Sequence, residues 1–230
     1  MLMAAASSGN VQSLQRLIAI RAPLDARDSD GDTALHFAVM HRNPACFTVL
    51  LNAKADITAR NKNGQSCLGL AAYEGYDDRV RTLLAANASI DARDANGRTA
   101  LMLCKEVACV NTLLSANANR DIRDRYGKTA LILAMEHNRI DMMKTLIANN
   151  ASLQTKNSKG ETPLVIAMNT SHEEQIQLLV GAVDTHGNTA LMMAAADGDV
   201  KTILMLLKRH ASLRARNQND ETALLLAVKN

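Results

Sequence analysis

The sequence predicts an all-α fold, a solenoid of stacked helix-turn-helix units with β-hairpin-like fingers, and three observations predict it. One helix-start signature recurs along the whole chain: Thr33-Ala34-Leu35, Ser66-Cys67-Leu68, Thr99-Ala100-Leu101, Thr129-Ala130-Leu131, Thr162-Pro163-Leu164, Thr189-Ala190-Leu191 and Thr222-Ala223-Leu224. An Asp/Asn-x-x-Gly/Asp turn precedes each of them. The spacing is regular, since Asp28 to Arg60, Asn61 to Arg93, Asp124 to Lys156 and Asp184 to Arg216 share one register at a period of about 33 residues. Composition is the third observation: 47% of residues are hydrophobic but only 2% are aromatic. Ala, Leu and Met therefore do the packing, which suits short helices about 8–10 Å apart.

The stretch from Asp184 to Arg216 shows the logic of one unit. Asp184-Thr185-His186-Gly187 has turn chemistry, an Asp that bonds nearby backbone and a Gly that takes positive φ. Thr189 sits where an N-cap belongs, and Leu191, Met192, Ala194 and Ala195 follow at helical spacing. Asp197-Gly198-Asp199 breaks that helix, and Val200, Ile203, Leu204, Leu206 and Leu207 form the apolar stripe of a second. A helix pair this small cannot bury its own apolar faces and requires like neighbours.

Taken in order, residues 1–27 align with the second part of this template and lack a first finger, so they are read as an N-terminal cap with Gln12, Ser13 and Gln15 outward. Units 28–60 and 61–93 are regular. Unit 94–123 is about three residues short in its inter-helix turn, at Lys105-Glu106-Val107-Ala108. Unit 124–156 is regular again. Unit 157–183 is short by about six residues after Leu178-Leu179, and a change of twist is expected near 180–184 because repeat geometry passes only through nearest neighbours. Unit 184–216 follows, and 217–230 supplies only a finger and one helix, so the natural chain is expected to continue beyond Leu224, Leu225 and Leu226.

These seven concordant copies resemble the ankyrin-repeat family over essentially the full length, which reads as a single domain of residues 1–230. Thr33-Ala34-Leu35-His36 is the nearest match to the family's Thr-Pro-Leu-His box, and only Thr162-Pro163-Leu164-Val165 carries the proline. The chain departs from the family where Gly usually ends the second helix: Arg21, Lys54, Asn87, Asn117, Asn150 and His210 stand there. Arg and Lys in left-handed geometry cost about 1 kcal/mol, so looser turns or different helix ends are expected.

A net charge of +3 is too small to imply nucleic acid as a partner, and no stretch reaches the roughly 18 apolar residues of a membrane span. The start lacks the basic segment of a secretory signal. Cys46, Cys67, Cys104 and Cys109 fall at helical positions with no zinc-ligand spacing and are read as buried thiols. A cytoplasmic setting is expected, or a host cytoplasm if the chain is a delivered effector. The Asn-x-Ser/Thr triplets at Asn87, Asn150 and Asn169 are read as turn residues.

No nucleophile elbow, phosphate loop or His-Glu-x-x-His helix is present; His172-Glu173-Glu174 ends in Gln175. His41 and His137 occupy equivalent places three units apart, about 30 Å at ~10 Å per unit, too far for one ion. No catalytic residue, metal or cofactor is expected. A column of basic residues, Arg27, Arg60, Arg93, Arg123, Lys156 and Arg216, precedes the fingers. Either the Asp or Asn that follows each is its local partner, or the column steers an acidic ligand.

The resemblance implies a non-catalytic protein-protein interaction module that binds a protein or peptide on its concave finger and inner-helix face. Carried over unit by unit, the contact positions are Met40, His41, Tyr73, Glu74, Arg98, Arg125, Tyr126, Lys128, Glu136 and His137. Tyr73 and Tyr126 stand out in a chain with three tyrosines and two phenylalanines, because tyrosine supplies large rigid contact area. A monomer without membrane insertion is expected. The alternative is the interaction portion of a bacterial effector, channel or multidomain enzyme whose active part lies elsewhere; a standalone enzyme is the third reading.

Overall fold

A computed structural model describes residues 1–41, 43–170 and 172–229. The chain divides into two compact units, Met1–Asn119 and Arg120–Asn230. The first contains α1 (Leu2–Ser8), α2 (Val11–Ala19), α3 (Ala34–Met40), α4 (Pro44–Asn52), α5 (Cys67–Glu74), α6 (Asp77–Ala85), α7 (Ala100–Leu103) and α8 (Val107–Ser115). The second contains α9 (Ala130–Glu136), α10 (Ile140–Ala148), α11 (Pro163–Thr170), α12 (Glu173–Gly181), α13 (Ala190–Ala196), α14 (Val200–Lys208) and α15 (Ala223–Val228). The fold is all-α: among the described residues only the isolated bridges Arg60–Ser66 and Val183–Thr189 have β character.

Several of the first helices begin at a side-chain cap. The Ser66 side chain accepts from the Gly69 amide, and Thr129, Thr189 and Thr222 accept likewise from Ile132, Met192 and Leu225. At Thr33 the cap is reciprocal, because His36 turns back and its Nδ1 accepts from the Thr33 amide at 3.2 Å. Within the first unit α1 packs on α3, α3 on α5 and α5 on α7, while α2 packs on α4 and α6 on α8. In the second, α9 packs on α11, α10 on α12, and α13 on α12, α14 and α15. Leu14, Leu35, Leu50, Leu68, Leu83 and Leu113 fill the first core, and Leu131, Ile132, Met143, Leu146, Ile176 and Leu179 the second.

Fingers are stacked by backbone. In the first unit Lys62 donates to the Asp30 carbonyl and Ala95 to that of Asn63, both at 2.8 Å; in the second, Ser158 donates to Tyr126 at 2.9 Å and Gln218 to His186 at 3.0 Å. Gly64 shows why a glycine stands at the turn. Its φ is +69°, and a Cβ there would lie 2.7 Å from the Ala95 nitrogen.

The unusual helix ends keep their geometry. Arg21, Lys54, Asn87, Asn117, Asn150 and His210 all adopt positive φ, between 59° and 67°. The next residue's amide reaches back to close the turn, as Ala55 does to Leu50 at 3.1 Å and Ala211 to Leu206 at 3.1 Å. These turns are therefore not looser; they hold the left-handed form against side-chain sterics. Replacing Lys54 (φ 67°) by Gly is expected to raise unfolding free energy by about 0.5–1 kcal/mol, measured by denaturant titration. Asn87→Gly, starting from a residue that tolerates this region, is expected to gain less.

Two local expectations are corrected. Asn169 is not a turn residue but lies in the last turn of α11, where its Nδ2 donates to Glu161 Oε1 at 3.3 Å. Cys104 lies just past α7 in extended backbone, because the three-residue shortening leaves α7 a single turn.

Candidate partner-binding surface

In the first unit Met40 ends α3 and His41 is its exposed C-cap, with the imidazole stacked on Phe37 at a 5.9 Å centroid distance. Tyr73 and Glu74 end the neighbouring α5 and are both exposed. The Lys105 ammonium lies 3.5 Å from the Tyr73 ring centroid, within cation-π range. Lys105 belongs to the shortened connection between α7 and α8. Arg98 is tied into its own finger: its guanidinium is 2.8 Å from Asp94 Oδ2, and Asp94 Oδ1 accepts from the Arg98 and Asn96 amides.

In the second unit the finger carries Arg125, Tyr126 and Lys128. Asp124 Oδ1 accepts from the Tyr126 and Lys128 amides, both at 2.8 Å, which fixes the tip. Tyr126 is 60% exposed and Arg125 is exposed beside it. Lys128 bridges finger to helix: its ammonium is 2.8 Å from the Glu136 carboxylate and 5.7 Å from the Tyr126 centroid. His137 follows Glu136 as the exposed C-cap of α9. The structure thus joins Tyr126, Lys128 and Glu136 into one cluster.

The basic column has a structural occupation in carbonyl groups. Arg27 donates to the carbonyls of Gly31 and Arg60, and Arg60 to that of Arg93 at 2.6 Å. Arg93 and Arg123 each donate back to the glycine of their own finger, at 3.1 Å from Gly97 and 3.3 Å from Gly127. Backbone carbonyls are thus among the partners of all four.

Two buried polar residues escaped sequence reasoning. Arg79 in α6, 4% exposed, donates to the Val39 carbonyl at the end of α3 and stacks over Tyr76 at 4.3 Å. Gln175 holds the equivalent place in α12 and donates to the Met135 carbonyl of α9 at 3.0 Å. Each ties a second helix to the end of the preceding first helix. The signal was a long polar side chain at the third position of the second helix, where the other copies carry Ser13, Cys46, Cys109, Met142 and Thr202.

A half-enclosed cavity of about 130 Å³ lies in the second unit, lined by Leu153, Leu164, Leu179, Ala190 and Met193, with Lys156, Asp197 and Asp199 among its polar lining. None of the ten candidate residues lines it.

All four cysteines are buried free thiols. Burial, aided by the charges of Asp77, Glu106 and Asp78, pushes Cys109 up to about 11, and burial also raises Cys46 and Cys67. Among the described residues no group of three or more His, Cys, Asp or Glu is arranged to hold a metal ion, and no helix is long and apolar enough to cross a membrane.

Comparison with curated proteins gives no match. The family model described as Ankyrin repeats (3 copies) matches residues 2–94, 46–119, 68–157, 104–184 and 149–217 in overlapping registers. Together with the capped helix pairs and stacked fingers, that match shows that the chain belongs to the ankyrin-repeat family.

Proposed function

We propose that this chain recognises a protein or peptide partner through its finger tips and the C-terminal ends of its first helices. Ankyrin repeats are in general protein-interaction modules, typically without catalysis of their own. One observation carries the assignment to particular residues. The exposed tyrosines Tyr73 and Tyr126 each lie beside a lysine, Lys105 at 3.5 Å and Lys128 at 5.7 Å. Each pair offers an exposed tyrosine ring, a residue type enriched among interface hot spots, with a cation beside it. Met40, His41 and Glu74 extend the first surface; Arg125, Glu136 and His137 extend the second. Both stand on backbone already fixed by Asx turns and caps, so little ordering entropy is lost on binding.

The test is affinity capture with the intact chain, followed by titration of the captured partner against variants. Tyr126→Ala is expected to weaken binding by about 2 kcal/mol, roughly thirtyfold, with an unchanged melting curve because the ring is exposed. Undiminished affinity in both Tyr126→Ala and Tyr73→Ala would overturn the assignment.

A further inference from the structure

The cavity in the second unit has a sequence cause. In the 124–156 copy, residues 149–156 separate α10 from the finger Asx residue Asn157, and Ala151 and Leu153 of that connection are buried. In the 157–183 copy only Ala182 and Val183 separate α12 from Asp184. The connection that would carry the equivalent apolar residues is missing. Leu153, Leu164, Leu179, Ala190 and Met193 therefore face open space of about 130 Å³. An apolar cavity of about 150 Å³ accommodates benzene, so one extended side chain fits here and two do not.

Charge at the rim selects among such side chains. Asp199 caps α14: its carboxylate accepts from the Thr202 hydroxyl at 2.6 Å and the Thr202 amide at 3.1 Å. Lys156, which lines the same cavity, adds a smaller electrostatic contribution in favour of the charged carboxylate. Asp197 is exposed, and its carboxylate makes no hydrogen bond or ion pair among the described residues. It is also the C-cap of α13, where the partial charge of helix carbonyls is negative. The apolar residues thus share the cavity with Gln154, Thr162 and Thr202, and its charged lining is two carboxylates, Asp197 and Asp199, against one cation, Lys156.

We infer that this cavity is a subsite for one basic side chain, lysine or arginine, of a peptide, whose methylenes lie against Leu164, Leu179 and Met193 while its cation meets Asp197. As a peptide subsite it presupposes the partner-binding function proposed above, whereas its affinity for a free alkylammonium ion does not.

The probe is n-butylammonium, titrated to about 50 mM against the full chain with labelled Leu and Met methyls, followed by NMR. Saturable shifts are expected at Met193, Leu164 and Leu179, with n-pentanoate far weaker. Asp197→Asn is expected to weaken the cation about threefold to fivefold, the effect of one solvent-facing ion pair, with an unchanged melting curve. Ala194→Leu, which adds bulk to the cavity wall, is expected to abolish the shifts, and Tyr126→Ala to leave them intact. Equal shifts with n-pentanoate, wild-type affinity in Asp197→Asn, or no saturation at the cavity methyls would each overturn the subsite. If Ala194→Leu does not fold, Asp197→Asn decides alone, because its side chain is exposed.

Discussion

Leu83→Ala is expected to lower the unfolding free energy by about 3–5 kcal/mol, the largest effect of any substitution considered for this chain. Leu83 lies on α6, which packs on α5 and α8, and it is fully buried. Removing its side chain forfeits the transfer free energy of the buried atoms and leaves a cavity that close-packed short helices cannot easily collapse. With so few aromatics, a single leucine carries a large share of each interface. Leu204→Ala is the control: Leu204 is 55% exposed, and its loss is expected to change stability by no more than about 0.5 kcal/mol. Denaturant titration of both variants checks the pair. Equal losses would mean that burial does not rank these leucines.

The second large effect is a loss of stability in mild acid, centred on His36. Burial is the main influence and lowers its pKa below 6.5; the Gln65 carbonyl and Asp32 oppose it, Arg27 adds to it, and Asp28 opposes it. Geometry gives the same sign. Nδ1 accepts from the Thr33 amide at 3.2 Å, so the ring proton sits on Nε2 and donates to the Gln65 carbonyl at 3.2 Å. Protonating Nδ1 would set it against the Thr33 amide and leave the Thr33 hydroxyl, 2.9 Å away, as its acceptor. The unfolded chain takes up the proton first as pH falls, so stability is full above about pH 7 and declines below 6.5 until the folded-state pKa is passed. The slope in that window is at most about 1.4 kcal/mol per pH unit. His36→Val is expected to be less stable at pH 7.5 but to lack this slope. Parallel pH profiles for the two chains would remove His36 as the cause.

Most of the fold was legible because each unit announces itself locally. Thr129, Thr189 and Thr222 cap the helices they precede, and Asp94, Asp124 and Asp184 close their fingers through the Asx bonds that their position implies. The turns at Arg21, Lys54 and His210, where the loss of glycine led to an expectation of looser or different helix ends, keep the left-handed form. What was not legible depends on distance across units. Arg79 and Gln175 bond carbonyls 40 residues away, which no local window reveals. The six-residue loss after Leu179 points in sequence to a change of twist, but sequence alone does not say which space an absent connection leaves empty.

The candidate surface divides along the same line. Exposure of Tyr73 and Tyr126 followed from their register, whereas Lys105 reaches Tyr73 only through the shortened turn after α7. Arg98 matched the family's contact positions by register, yet its ion pair with a buried Asp94 ties its charge into the finger. Lys128 shares its charge between Glu136 and Tyr126, so a partner acid must compete with Glu136 for it.

Amide hydrogen exchange of the intact chain, with and without its captured partner, tests the recognition account most directly. Added protection is predicted at the finger 124–128 and at the first-helix ends Met135–His137 and Ala72–Glu74, with none on the second helices α6 and α10. Protection confined to the second helices, with fingers exchanging as in the free chain, would contradict it.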